Sequence, residues 1–466
     1  MSPSSESSSP FELVRGGNAL RSLALAGGVA LHAINVYVVT TIMPTIVRSI
    51  GGLAYYAWNT TLFVVASILG SALSYRLIDR MGPRRAYLCA LALFCTGSLL
   101  CSAAPAMWWL LVGRTVQGLA GGVLLALSYA LIRLVYEPRL WSRALAFVSA
   151  MWGVATLSGP ALGGLFASLG WWRPAFLSLL PVAGALAVMV HRLVPATAPA
   201  SSSGAGMPWG RLGLLAGSVL AISVGSLSGH LAWNAAGLAM GLALVAWMGR
   251  LDLRGASPLM PAEAYSPRTV LGACYITMAM LVIGLTSEIF VPYFLQTIHG
   301  STPLAAGYLT AVMAGGWTVA ALMFSGRAGR AAARLMHDGP VVTTVALAWL
   351  AILMPGRLDG AWAFPVLCLV LGAVGFGIGM CWSHFVTRVF RSAPAGQENL
   401  ASGAVTTIQL YAIALGAALA GMVANAAGLA DPGGLEGART AAGWLFGVFA
   451  LAPAVAVWSA RRAARS

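Results

Sequence analysis

One carboxylate stands alone in the apolar run "GLTSEIFVPYFLQ", residues 284–296, where Glu288 is flanked by Leu285, Thr286, Ser287, Ile289 and Phe290. In a bilayer such a charge costs ~2.5 to 3.5 kcal/mol or more. It is also chemically useful, because burial and an approaching cation act in opposite senses on proton affinity, so a change of surroundings loads or unloads a proton. The matching cation is Arg114 in "RTVQGLAGG", with Gln117 three residues on and so on the same helical face. Glu288 and Arg114 read as a proton-coupling site; the alternative is a fixed ion pair that only holds two parts together. His384 in "CWSHFVTR" has no second metal ligand nearby, which leaves hydrogen-bonded packing or a substrate or proton contact. His32 reads the same way. Trp152, Trp317 and Trp382 fall inside apolar runs, unlike Trp108, Trp109, Trp171 and Trp172 at run ends. The former either line a cavity for an apolar or cationic ligand or simply pack; the latter fit an interfacial aromatic belt.

A second constellation is "LSYRLIDRMGPRRAYL", residues 73–88, where Asp79 lies among Arg76, Arg80, Arg84 and Arg85 and the pair Gly82 and Pro83 forces a turn. A loop of this kind anchors topology, and a carboxylate held at a helix end by arginines also locks a gate. In "SGPALGG", Pro160 frees a carbonyl and bends its helix while Gly159, Gly163 and Gly164 let a neighbour pack into the bend.

These residues need a membrane to position them. The chain has 466 residues, 59% hydrophobic and 8% charged, against about 25% charged in an ordinary soluble domain. Fourteen apolar runs are long enough for a ~30 Å hydrocarbon layer: residues 20–43, 54–76, 86–104, 108–132, 144–168, 174–193, 211–229, 231–249, 269–296, 303–325, 339–355, 361–388, 400–428 and 440–459. The net charge of +15 comes with no lysine. With the N-terminus in the cytoplasm every arginine falls on the inner side except Arg48, Arg173, Arg357 and Arg439 in outer loops and Arg114 within a span. That asymmetry is the positive-inside signature and argues against nucleic acid, which needs one basic folded surface with stacking aromatics. The leader "MSPSSESSSP" is too polar for a signal peptide and reads as a disordered cytoplasmic tail. The six cysteines, Cys89, Cys95 and Cys101 among them, form no CxxC pair and read as packing residues. "GAVGFGIGM" imitates a dinucleotide loop but follows no strand, and a Walker A loop needs a lysine. No pair of acids, Cys/His dyad or metal cluster occurs in the spans, so neither an enzyme nor a cofactor or metal is expected.

Two connectors, "PATAPASSSGAG" (195–206) and "RLDLRGASPLMPAEAYSPR" (250–268), divide the spans six, two, six. The expected organisation is an all-α membrane protein: a tail over 1–19, a six-helix bundle over 20–194, connectors with two extra spans over 195–268, a second six-helix bundle over 269–460 and a tail over 461–466. "SGPALGG" and "ALGAALAG" (414–421) occupy equivalent places in the two halves, a weak sign of parallel repeats.

On these motifs the chain resembles the major facilitator superfamily, specifically its fourteen-helix drug:proton antiporters of the EmrB/QacA type. That family carries a glycine and then D-R-x-G-R-R between its second and third helices, which "DRMGPRR" matches except that Tyr75 stands for the leading glycine. It carries R-x-x-Q-G in the fourth helix, matched by Arg114, Gln117 and Gly118, and the antiporter signature G-P-x-x-G-G in the fifth, matched by Gly159, Pro160, Gly163 and Gly164. "VPYFLQTIHGSTPLAAG" (291–307) looks like the family's outer loop after helix 9. The resemblance implies two six-helix bundles plus two inserted helices, fourteen in all, with Asp79, Arg80, Gly82, Arg84 and Arg85 as a gate. It implies a cavity lined by spans 1, 4, 9 and 12, which carry Asn35, Arg114 with Gln117, Glu288, and His384. The family often has an aspartate nine residues before a helix 1 proline; here that place, counted from Pro44, is Asn35, which cannot carry a proton.

The expected function is proton-coupled efflux of small amphipathic compounds or drugs by alternating access in a bacterial inner membrane, both termini cytoplasmic. The expected partners are a small-molecule substrate, protons and the bilayer, with room for a periplasmic adaptor, and the expected state is a monomer. The alternatives are an exporter or importer of a metabolite, siderophore or lipid, and a non-transporting membrane sensor.

Overall fold

The computed structural model describes residues 16–137, 140–194, 208–255, 258–357 and 362–464. Most of the expected leading tail and all of "PATAPASSSGAG" lie outside the described residues. The α-helices are α1 Gly16–Ile50, α2 Trp58–Ser102, α3 Met107–Val135, α4 Trp141–Ser168, α5 Trp172–Leu177, α6 Leu179–Leu193, α7 Trp209–Gly225 and α8 Leu231–Arg254. The rest are α9 Val270–Leu285, α10 Val291–Ile298, α11 Pro303–Phe324, α12 Gly329–Leu353, α13 Ala363–Ser392, α14 Glu398–Ala426 and α15 Gly434–Ala464. The last helix runs through Arg461 and Arg462, where a tail was expected.

Twelve helical segments among the described residues are long and apolar enough to cross a membrane, against fourteen expected. Two features account for the difference. The predicted spans 54–76 and 86–104 run together in one segment, Leu53–Ser102, in which α2 is helical throughout except at Gly82 (φ 77, ψ 162). That positive φ suits glycine alone, and Pro83 then starts the second arm where no amide hydrogen is needed. The predicted span 211–229 is the 17-residue α7, short against the ~20 residues a crossing takes.

Two seams join the halves. α4 packs on α1 of its own half and on α11 of the other, and α14 packs on α9 of its own half and on α2 of the other. The two arrangements are counterparts, as expected of a repeat. α7 covers only the second seam: Val219 and Ile222 join Phe63, Val64 and Val65 of α2 and Ala414, Ala418 and Met422 of α14 in one apolar cluster. Ser218 bonds Tyr411 at 2.9 Å, and Asn425 donates to Ala54 and Ser226 carbonyls.

The inserted pair is tied down by a carboxylate. Asp252, 1% exposed, pairs with Arg211 at 3.0 Å. It also accepts the Leu259 and Met260 amides and the Tyr265 hydroxyl at 2.7 Å. Burial first, and then the bond to Asp252 and its charge, push the Tyr265 phenol above its usual range, so it stays a donor.

The apolar cores divide unevenly. At the end carrying Arg48, one core draws on both halves, including Ile42 and Ile46 with Phe290, Phe294 and Leu309. At the end carrying Asp79 there are two, one around Leu25, Tyr87 and Leu124 and one around Leu271, Tyr275 and Phe385. The halves are therefore fused at one end and separate at the other.

Candidate functional site

Between the halves lies a cavity of about 360 Å³ whose lining includes Glu288, Arg114, His32, Trp152 and Trp317. Glu288 is the one acid of the lining. It sits on a 3-10 turn, Thr286–Phe290, that interrupts the ninth predicted span between α9 and α10. Its side chain is half-buried and accepts no hydrogen bond from the described residues. Glu288 and Arg114 form no ion pair: the pairs among the described residues lie elsewhere.

Arg114, 2% exposed, is held on its own side. Its Nη1 donates to Gln117 Oε1 at 2.8 Å, and its guanidinium lies 4.1 Å from the centroid of the Phe63 ring. Gln117 Nε2 in turn donates to Ser98 Oγ at 2.8 Å. Gln117 is thus a positioning residue for Arg114 and does not itself line the cavity. The close approach this needs comes from glycines: a Cβ at Gly97 would meet Gln117 at 2.7 Å, and one at Gly118 would strike the Phe63 carbonyl.

Other expected cavity residues also stand back from it. Trp382 packs behind the lining, its ring 5.1 Å from that of Trp317. His384, 8% exposed, lies on α13, which contributes nothing to the lining. Asn35 is fully buried with both amide atoms unpartnered; on α1 the cavity face is instead His32, Val36, Tyr37 and Thr40. His32 lies tilted against Phe63 and edge-on to Trp152, at 5.1 and 6.1 Å between centroids. Trp172, expected in an interfacial belt, is 1% exposed.

Sequence reasoning missed Asn59, Ser67 and Ser71 on α2 and Thr406 and Gln409 on α14, all of which line the cavity. For α2 a signal existed: Asn59, Phe63, Ser67 and Ser71 recur every fourth residue, one face of a helix. Through Ser71, Tyr129 and Thr406 the lining reaches toward the Asp79 end.

The opposite end is sealed by both halves. Arg48 donates to Gln296 at 3.0 Å, and Tyr56 stacks on Phe290 at 4.8 Å. "SGPALGG" builds part of this seal. Gly159 and Gly163 bring α4 against Tyr37 and Val38 of α1, and a Cβ at Gly164 would come within 2.6 Å of Leu304 of α11. Pro160 lies near Gly307, itself close to Thr41.

The residues expected to form a gate lie at the separated end. Gly82 is buried at the break in α2, Asp79 and Arg84 are half-buried, and Arg80 and Arg85 are exposed. Arg84 donates to the Val194 carbonyl at 2.7 Å. Among the described residues Asp79 forms no ion pair.

Comparison with known proteins agrees with this architecture. The chain is 38% identical over 418 residues to a protein of Mycobacterium tuberculosis named as a probable multidrug-efflux transporter, covering 87% of this chain and 88% of that one. It is 25% identical over 423 residues to an uncharacterized Escherichia coli transporter, covering 86% and 88%. Among solved structures it resembles a bacterial homologue of the human lysosomal transporter Spinster, in an inward-facing, unoccupied conformation (TM-score 0.67, 14% identity, 97% of this chain and 98% of that one). It also resembles a D-xylose-proton symporter (TM-score 0.63, 14% identity, 95% and 98%). At such identities the likeness to the solved structures concerns the fold alone. The model of the Major Facilitator Superfamily matches residues 25–417. With two halves about a central cavity and a relative of this identity over most of its length, the chain belongs to the major facilitator superfamily, a family of multi-pass membrane transporters.

Proposed function

We propose that this transporter is a proton-coupled exporter of small amphipathic compounds that works by alternating access in a bacterial inner membrane. The observation that carries the reading is Glu288: the cavity's one acid, on a break in its helix, facing the space between the halves with no hydrogen bond or ion pair among the described residues. Such a group is free to exchange a proton with whatever enters. The aromatic lining of Tyr37, Phe63, Tyr129, Trp152 and Trp317 suits flat or apolar substrates with a cationic end. The relative named as a probable multidrug-efflux transporter supports efflux. Fusion of the halves at the Arg48 end and separation at the Asp79 end suits one extreme of a rocking cycle.

The finer assignment is the fourteen-helix EmrB/QacA type. Counting the arms of α2 on either side of Gly82 separately, and adding α7, brings the twelve segments to fourteen. In this reading residues 20–194 and 269–460 are the two bundles, both termini are cytoplasmic, and the protein works as a monomer. Asp79, Arg80, Gly82, Arg84 and Arg85 act as the gate that closes when the halves meet at their end. Protein reconstituted in liposomes should move a fluorescent amphipathic cation against its gradient when a pH gradient is imposed, and should stop when a protonophore collapses that gradient. Accumulation indifferent to the protonophore would remove proton coupling from the proposal. Labelling a cysteine at Ser2 from outside intact cells should fail; efficient labelling would overturn the topology.

A further inference from the structure

Of the four arginines at the Arg48 end, two are occupied. Arg48 bonds Thr45 and Gln296, and Arg173 donates to the Ala104 carbonyl while lying over the Trp172 ring. The other two, Arg357 and Arg439, form no ion pair or hydrogen bond among the described residues, and Arg439 keeps a buried, unpartnered Nε. Both line the same pocket of about 410 Å³, with His299 and Ser301. His299 is not a third charge there: it bonds the Met354 carbonyl at 3.0 Å, and burial, with a contribution from Arg439, pushes its imidazole below the usual range. Asp431 and Glu436, the described acids nearest in sequence to Arg439, pair with neither arginine; Asp359, two residues from Arg357, lies outside the described residues. Two guanidiniums without an ion pair among the described residues, on the side where basic residues are otherwise scarce, call for an anion, and a guanidinium matches phosphate in geometry as well as charge.

The pocket does not end at its charges. Arg439 also lines a groove of about 560 Å³ between α12 and α15, walled by Ala351, Pro355, Gly443, Trp444, Gly447 and Leu451. The glycines keep it open: a Cβ at Gly447 would have nothing nearer than Ala351 at 3.8 Å. Its rim faces outward, with Trp444 62% and Leu451 63% exposed. From Arg439 to Leu451 the groove follows α15 for about 18 Å at ~1.5 Å per residue, close to the ~15 Å depth of one leaflet's hydrocarbon. A basic pocket at the membrane surface, continuous with an apolar trough one leaflet deep, has the two parts of a lipid in the order a lipid presents them.

We propose that Arg357, Arg439 and the groove between α12 and α15 bind an anionic phospholipid, its phosphate between the guanidiniums and one acyl chain along Gly443 and Gly447. The assignment is independent of the central cavity and of proton coupling.

Native mass spectrometry of the full-length protein in detergent tests it with three probes: dioleoylphosphatidylglycerol, dioleoylphosphatidylcholine and soluble glycerol phosphate. The anionic lipid should bind at least about tenfold tighter than the zwitterionic one, and the double substitution Arg357→Gln with Arg439→Gln should abolish that preference. Removing outer arginines leaves the inner charge bias intact, so insertion is preserved; Arg357→Gln alone, at an exposed loop position, should already weaken the preference should the double variant prove unstable. Gly447→Leu, which fills the trough, should weaken the anionic lipid and leave glycerol phosphate unchanged. Equal binding of the two lipids, or a preference that survives both arginine variants, overturns the site. Glycerol phosphate binding as tightly as the anionic lipid, with Gly447→Leu silent, reduces it to a free-phosphate site and overturns the lipid assignment.

Discussion

Glu288 and Arg114 line one cavity from opposite halves of the molecule and form no ion pair. Arg114 gives one hydrogen bond to Gln117 and its face to Phe63, while its buried Nε has no partner, and none of these contacts engages the acid. A fixed bridge clamping the halves together is therefore absent from this conformation.

Replacing the acid by its amide separates its chemistry from its shape. Glu288→Gln should fold, bind substrate and exchange it, yet lose at least about tenfold in accumulation driven by a pH gradient, a barrier change of ~1.4 kcal/mol or more. Full accumulation by this variant in proteoliposomes would falsify the coupling role of Glu288 and show that another group carries the proton.

Gln117→Leu removes the acceptor of Arg114 in a fully buried place. The orphaned guanidinium donor should cost about 1 to 3 kcal/mol, read as a lower midpoint of thermal unfolding in detergent. Gln117→Glu keeps an acceptor and should lose less; equal losses would mean the side chain merely fills space.

In the proposed cycle, closing at the Asp79 end requires the charged loop to engage. Asp79→Asn keeps every arginine that sets topology, so the protein should insert normally while its transport falls by about tenfold or more. Near-normal flux in the same membranes would reduce the loop to an anchor.

At the other end, Gly164→Leu forces a side chain into the backbone around Leu304. The seam between α4 and α11 should part there. A cysteine at Ala306, fully buried in the present packing, should become reactive to an impermeant maleimide in a background lacking the native cysteines. Continued inertness would show that the seam yields elsewhere.

Asp252→Asn takes the charge from a carboxylate that serves Arg211, two backbone amides and Tyr265. Breaking such a buried pair should cost about 3 kcal/mol and be felt locally, as faster proteolysis within residues 250–268. An unchanged cleavage rate would show that α7 and α8 are held without it.

What could be read from the chain beforehand follows the length scale of each signal. Crossing helices are legible because twenty apolar residues leave little else to do. Their count was less so: Gly82 turns the chain while the helices on either side run up to it, and α7 is a few residues short. Glu288, Arg114, Trp152 and Trp317 reached the cavity, whereas Asn35, Gln117, Trp382 and His384 did not. The reason is rotational. Successive residues on a helix point ~100° apart, so knowing that α1 borders the cavity does not distinguish Asn35 from Val36. Thr406 and Gln409 were hidden by a larger uncertainty, since which span of the second half swings against the first is decided by tertiary packing. Asp252 lay in a stretch that reads as a polar connector, and only its four partners reveal a knot.

In the alternating-access cycle proposed above, the apolar core shared by the halves at the Arg48 end would also make the molecule's affinity sided. A compound arriving from the Asp79 end meets a receptive cavity at once. One arriving from the Arg48 end finds it only in the fraction of molecules whose shared core has parted, and its apparent dissociation constant is raised by the reciprocal of that fraction. A single set of cavity side chains thus presents two binding strengths to the two sides of the membrane. In that cycle the ratio between them depends on core residues such as Ile42, Ile46, Phe290 and Phe294, none of which lines the cavity. Conservative changes among these residues should tune which face the protein samples, as a counterweight trims a balance, without altering what it recognises.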